Sequence, residues 1–131
     1  MTNTKWRCCL GDKRTLTGAD GSVVIGSSQA GTSTSVKNAV AIGSEANVTK
    51  EGGVALGAGS VASVDKGVAG YDPGTGTNST DTSSVWKSTQ AAVSVGDTSK
   101  GITRQITGVA AGTNDTDAVN VAQLRKAKHP S

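Results

Sequence analysis

A four-residue phrase recurs along this chain at a near-constant interval. It reads Val40-Ala41-Ile42-Gly43 and then Val54-Ala55-Leu56-Gly57, and Val40, Val54 and Val68 are each 14 positions apart. Val23-Val24-Ile25-Gly26 lies upstream and Val93-Ser94-Val95-Gly96 downstream. A short fixed period carried by small, sparse apolar residues specifies stacked coils rather than a globule around one centre. Such a chain builds an extended contact surface and has little material for a reaction pocket.

Composition points the same way. Leu, Ile, Val and Phe make up 23 of 131 residues, below the roughly 20% at which a conventional core becomes doubtful. Trp6, Tyr71 and Trp86 are the only aromatic residues. A lone chain of this kind struggles to offset backbone ordering of about 1–2 kcal/mol per residue. The low net charge of +3 and the repeat argue against disorder. The missing interior is therefore expected from further copies of the chain. Basic residues gather near both ends (Lys5, Arg7, Lys13, Arg14; Arg125, Lys126, Lys128) without the interleaved aromatics that single-strand nucleic-acid binding uses. No apolar run reaches the ~20 residues of a membrane span, and the first residues lack the apolar segment of a signal peptide. If the protein is exported, signal and anchor are expected elsewhere in a longer chain.

One unit of the repeat reads as strand, bend, strand, turn. Val40 and Ile42 are two apart and share a strand face, with Ala41 on the other. Gly43 permits a bend, Ala46 and Val48 form a second short strand, and residues 49–52 suit a turn. The next unit repeats this with Val54, Leu56, Gly57, Ser60 and Ala62. Stacking in register predicts a parallel ladder with an inner row of Val40, Val54 and Val68. Upstream, the interval from Val23 to Val40 leaves three extra residues in the loop 29–38, and Cys8-Cys9-Leu10-Gly11 fits the same slot as Val54-Ala55-Leu56-Gly57. Cys8 and Cys9 read as small strand residues, with a bridge between chains as the alternative.

After Val68 the phrase is interrupted, and it resumes at Val93, 25 positions on. Asp72-Pro73-Gly74 marks a turn, and Val85-Trp86 is the bulky apolar feature of the insert. Trp86 either covers an end of the stack or offers an anchor to a partner. From Ile102 the pattern changes. Asp115-Thr116-Asp117 reads as a helix start, followed by Val121, Leu124 and Lys128 at coiled-coil intervals. A helix this short is marginal alone and wants partner helices.

The phrases 38–44 and 53–57 resemble the head repeats of YadA-like trimeric autotransporter adhesins. The stretch Arg104-Gln105-Ile106-Thr107-Gly108-Val109, continuing through Asn114-Asp115-Thr116-Asp117 to Gln123-Leu124, resembles that family's neck. The resemblance implies an all-β, left-handed parallel β-roll of 14-residue coils forming a homotrimer, then a neck and a short α-helical coiled-coil start. It divides the chain into a degenerate lead-in (1–21), a head (22–101) with an insert at about 71–91, a neck (102–116) and the start of a stalk (117–131). It implies display on the outer membrane of a Gram-negative bacterium, through an anchor domain outside this segment, and attachment to host cells, extracellular matrix proteins or other bacteria. The trimer and coil core is expected at Val23, Ile25, Val40, Ile42, Val54, Leu56, Val93, Val95, Val121 and Leu124. Candidate ligand contacts are Trp86, Tyr71, Val40 and Ile42. No catalytic residue, metal, cofactor or nucleic acid is expected.

Two other classes of protein share parts of this pattern. Ile25-Gly26-Ser27-Ser28-Gln29-Ala30 and Ile42-Gly43-Ser44-Glu45-Ala46-Asn47 each fit the hexapeptide pattern of left-handed β-helix acyltransferases. Those enzymes use a longer coil and a His base, whereas the sole His129 lies beyond the neck, a poor place for a general base. A trimeric phage or surface fibre without host adhesion is built by the same physics, and a signal peptide with a β-barrel anchor in the gene would separate it from an adhesin.

Overall fold

The computed structural model describes residues 8–128, with side chains from Gly11 to Lys128. Trp6 and His129 lie outside the described residues, as do the side chains of Cys8 and Cys9. Strands β1 (Cys8–Leu10), β3 (Val23–Ile25), β5 (Val40–Ile42), β7 (Val54–Leu56) and β11 (Val93–Ser94) form one parallel sheet in that order. The partners are Cys8 with Val23, Val23 with Val40, Val40 with Val54, and Val54 with Val93. Between them, β2 (Arg14–Leu16) pairs with β4 (Thr32–Thr34), and β6 (Asn47–Val48) with β8 (Val61–Ala62), again in parallel. Each turn of chain thus places one strand in either layer.

The glycine that closes each first strand sets the spacing. Gly11, Gly26, Gly43 and Gly57 have φ of 129°, 129°, 132° and 104°. A Cβ on Gly43 would stand 2.5 Å from the Gly57 carbonyl carbon, and one on Gly26 the same distance from that of Gly43. The bend therefore needs glycine twice over, for its dihedral and for the backbone stacked against it. Two residues on, the corner again turns left-handed, at Lys13 (φ 58°), Glu45 (65°) and Gly59 (75°). Glu45 is held there by its carboxylate, which accepts the Gln29 backbone N–H from the coil before. That bond, and a second from Ser28, draw the Glu45 carboxyl below its ordinary range.

The interior is thin. Val24, Ala41 and Ala55 are fully buried and stack on one another. Opposite them lie Leu16, Thr34, Val48 and Ala62, with Ala46 and Ser60 at the corner. The expected inner row of Val40 and Val54 is corrected here. The middle residue of each three-residue strand points into the coil, and the flanking Val23, Ile25, Val40, Ile42, Val54 and Leu56 point out. Two facing strands so short, joined by one bend, leave room mostly for alanine and valine, with Leu16 the largest apolar side chain inside.

Val68 does not stack on Val54; Val93 takes that place. The chain leaves the stack after β8 and returns at Ala92, whose N–H donates to the Val64 carbonyl. Ala69 forms an antiparallel bridge with Lys87, and Gly70 N–H donates to the Trp86 carbonyl. With its neighbours committed to this stem, Val68 has left the ladder. The stem carries a hairpin of β9 (Tyr71–Asp72) and β10 (Thr77–Asn78), turned through Asp72, whose side chain accepts the Gly74 N–H. The helix start is also corrected. Helix α1 is Val121–Lys128, and the aspartates at 115 and 117 precede it.

The glycine stack sets a test. Gly43→Ala should lower stability by about 2–4 kcal/mol, combining dihedral strain with overpacking. Gly18 also has a left-handed φ, 63°, but open space at its Cβ position. Gly18→Ala should cost only about 1–2 kcal/mol. Urea melts of the two variants compare them, and equal losses would show that backbone stacking is not the constraint.

Candidate adhesion and assembly surface

The outward residues of β3, β5, β7 and β11 form two apolar rows along the head. Ile42 is 40% exposed, Leu56 39% and Val93 64%. Val23, Ile25, Val40 and Val54 are half-buried, as is Val95 just past β11. Among the described residues none buries these rows fully, although the parallel register aligns them strand upon strand.

Two arginines hold the stack from its sides. Arg14 is buried, and its guanidinium donates to the carbonyls of Gly26 (2.8 Å), Ala46 (2.6 Å) and Gly43 (2.9 Å). It thereby ties its own coil to the next two. Arg104 does the same where the head ends. Its Nη1 donates to Ser60 Oγ (3.1 Å) and the Val95 carbonyl (2.9 Å), and its Nη2 to the Ala58 carbonyl (2.9 Å). The guanidinium lies where a Cβ on Gly57 would be, 2.8 Å from its central carbon. A 3-10 turn at Thr98–Lys100, capped by Asp97, brings the chain back so that Ile102 pairs with Asp97 and delivers Arg104.

Beyond Arg104 the chain runs without strand or helix to Asn120. Asp117 accepts the N–H groups of Thr113 (3.0 Å) and Asn114 (3.0 Å) on one carboxylate oxygen. Those two bonds, Asn114 first, pull its carboxyl below the ordinary 3.8. Helix α1 then opens with a reciprocal capping box. Asn120 Oδ1 accepts the Gln123 N–H (3.0 Å), and Gln123 Oε1 accepts the Asn120 N–H (3.2 Å). Gln123 also clasps both backbone groups of Gly112, and Asn120 Nδ2 reaches the Val109 carbonyl. Val121 and Leu124 are 63% and 65% exposed on α1, and no residue of that helix is buried. A groove of about 630 Å³ beside the helix start is lined by Ile106, Val109, Val119 and Val121.

Of the candidate ligand contacts, Val40 and Ile42 lie on β5, while Tyr71 and Trp86 belong to the insert. Tyr71 is exposed, and Trp86 is half-buried within the insert rather than among the buried core residues. Sequence reasoning missed Arg14, Arg104, Asn120 and Gln123. Arg14 had a visible signal. It follows Gly11 by three, as Ala46 follows Gly43 and Ser60 follows Gly57, so an arginine occupies an inward slot. Among the described residues, no group of three or more His, Cys, Asp or Glu side chains gathers to hold a metal, and no helix is long and apolar enough to cross a membrane.

The elements define a stacked-coil head carried through an extended segment into a helix with unpartnered apolar residues. Comparison with known proteins adds what the chain is similar to. Residues 105–129 match the coiled stalk of trimeric autotransporter adhesin. The chain is 65% identical over 72 residues, 55% of its length, to autotransporter adhesin BadA of Bartonella henselae. It is 55% identical over 69 residues, 51% of its length, to trimeric autotransporter adhesin AtaA of Acinetobacter sp. (strain Tol 5). It spans about 2% of the length of each of these relatives. The C-terminal YadA-like domain of BPSL2063 from Burkholderia pseudomallei matches 95% of this chain and 49% of its own, at 28% identity and a TM-score of 0.52. The resemblance read from repeats and neck is thus shown: the chain is similar to trimeric autotransporter adhesins, with YadA-like repeats and the start of a coiled stalk.

Two outcomes follow for the neck. Asp117 has a lowered carboxyl pKa, so its contribution is complete above 3.8 and is lost as pH falls through the lower folded value. Amide exchange at Thr113 and Asn114, referenced to the intrinsic rate at each pH, should lose protection only below pH 3.8, as the folded carboxyl protonates. Asp117→Asn should show the weaker protection already at neutral pH. Arg104→Ala removes three hydrogen bonds from a charged donor and should cost about 2–4 kcal/mol. The fastest-exchanging new amides should lie in 96–104, and an unchanged melting curve would deny Arg104 its role.

Proposed function

We propose that this chain is the head-and-neck segment of a homotrimeric bacterial surface adhesin, a left-handed β-roll per chain, that attaches the cell to host surfaces, extracellular matrix proteins or other cells. The observation carrying this reading is the outward apolar face of the head, continued by the uncovered Ile106, Val119, Val121 and Leu124. Three copies around one axis would cover both sets at once. The head rows would meet across the axis, and the α1 helices would pair Val121 and Leu124 as coiled-coil core. The aligned register makes each row straight enough to meet an identical row.

The work of such a segment is display and contact, not catalysis. Three identical flanks carried on one stalk bind through many weak contacts, and avidity raises attachment without a deep pocket. The expected division into lead-in, head, neck and stalk start fits this use: a head that contacts, and a neck that hands load to a narrower helical bundle. Outer-membrane anchorage would come from other parts of a longer chain.

Light scattering on the purified chain should give three times the single-chain mass. Ile42→Asp changes an already exposed position in the single chain, yet places a charge in the proposed interface, so it should yield monomer or aggregate. The trimer should retain cells or beads on matrix-coated surfaces where the Ile42→Asp variant does not. A wild-type chain that is folded and monomeric at micromolar concentration would refute the reading.

A further inference from the structure

The triplet Asn-x-Ser/Thr is the acceptor pattern for N-linked sugars. It occurs in this chain at Asn47-Val48-Thr49, Asn78-Ser79-Thr80 and Asn114-Asp115-Thr116. In a sequence rich in Thr and Asn the pattern alone carries little weight, but the fold separates the copies. We propose that Asn78, on the hairpin of the insert, is the site at which an N-linked sugar is attached to the displayed chain. This rests on the reading of the chain as a surface segment and adds a covalent modification to it.

Asn78 ends β10 and is exposed, as is Thr80. Neither the Asn78 amide nor the Thr80 hydroxyl has a hydrogen-bond partner among the described residues. The residue between them is held instead. Ser79 N–H donates to the Gly70 carbonyl (2.8 Å), and Ser79 Oγ accepts the Asp81 N–H (3.1 Å). The acceptor amide and the hydroxyl read with it therefore stand free on a fixed backbone. Tyr71 lies directly across the ladder from Asn78 and is 63% exposed. Directly opposed residues project from the same side of a ribbon. A sugar on Asn78 thus has an open aromatic neighbour for its C–H face.

The other two triplets are closed. Asn47 is half-buried on β6, which packs between β4 and β8. Its Oδ1 accepts both the Thr34 hydroxyl (2.8 Å) and the Val48 N–H (2.9 Å). To react it must leave its sheet. Asn114 is exposed, but Asp117 holds both of its backbone groups. Its N–H donates to the Asp117 carboxylate and its carbonyl accepts the Asp117 N–H. It also lies just before residues 118–122, which line the groove at the helix start that a trimer would cover. The hairpin, by contrast, is a sheet of its own, apart from the strands that bear the apolar rows.

The donor class is a sugar carried on a phosphate or diphosphate. Asn78 Nδ2 bonds to the anomeric carbon, and the bond from that carbon to the phosphate oxygen breaks. The phosphate leaves with the electron pair, and the amide proton passes to a base of the transferase. No oxidant or reductant is needed.

The test is peptide mapping by mass spectrometry of the chain released from the surface of cells that produce it, with light scattering on the same material. The Asn78 peptide should carry a hexose or N-acetylhexosamine, at an occupancy at least about tenfold above that of Asn47, which reacts only through local opening. Thr80→Ala should remove the sugar although the asparagine is kept, and Thr80→Ser should retain it. With a soluble asparagine glucosyltransferase and UDP-glucose, the folded chain should react at Asn78 and the denatured chain at Asn47 as well. An unmodified Asn78 in the released chain, or a sugar placed preferentially on Asn47 or Asn114, overturns the site and leaves the adhesive reading standing. A released chain that is not a trimer overturns that reading instead.

Discussion

Backbone against backbone is the contact on which this head depends. Gly26 rests on Gly43 and Gly43 on Gly57, each at a φ that side chains avoid and at a distance no Cβ allows. That contact keeps the bends in column, so both strand layers propagate in register from coil to coil. The hydrogen bonds of the ladder then follow, Gly43 N–H to the Ile25 carbonyl and Gly57 N–H to the Ile42 carbonyl. Because the bonds run between peptide groups, they tolerate variation in the side chains outside.

Close stacking has a cost inside the coil. With bends this tight, the interior admits Ala41 and Ala55 but no row of large residues. The usual relation of apolar residue to core is partly inverted here: most branched side chains of β3, β5 and β7 lie on the outer surface, and the alanines lie within beside Leu16, Val24 and Val48. Hydrophobic burial is therefore incomplete in one chain and is completed only by contact with something else. The arginines compensate in part, since Arg14 and Arg104 draw carbonyls of successive coils onto one planar cation each.

The period was legible in the sequence because each coil repeats the same demands. Spacing alone placed β5 beside β7 and put the second strand of each coil at residues 46–48 and 60–62, where the structure has residues 47–48 and 61–62. The three extra residues of the loop 29–38 fall between Gly26 and β4. Strand alternation showed that Val40 and Ile42 share a face, but not which face turns inward. That depends on the radius of the coil, a tertiary quantity. Val68 misled because it keeps the 14-residue interval while its neighbours pair with residues 86–88 of the insert. Asp115 and Asp117 resembled helix caps because the same side chains also close turns, and Asp117 does so at Thr113 and Asn114. The real cap, Asn120 with Gln123, was a recognisable Asn-x-x-Gln pattern three residues further on. Arg104 could not be assigned from spacing, since its partners lie 9 and up to 46 positions away.

The position of Arg104 also governs how the head responds when the helix is pulled. Tension arriving along residues 105–120 first meets a guanidinium fastened to Ala58 in one coil and Val95 in the next. The load is divided between two rungs before it reaches β11. The terminal strand is thus spared the sequential unzipping that breaks a ladder one bond at a time, and several bonds must yield together in shear.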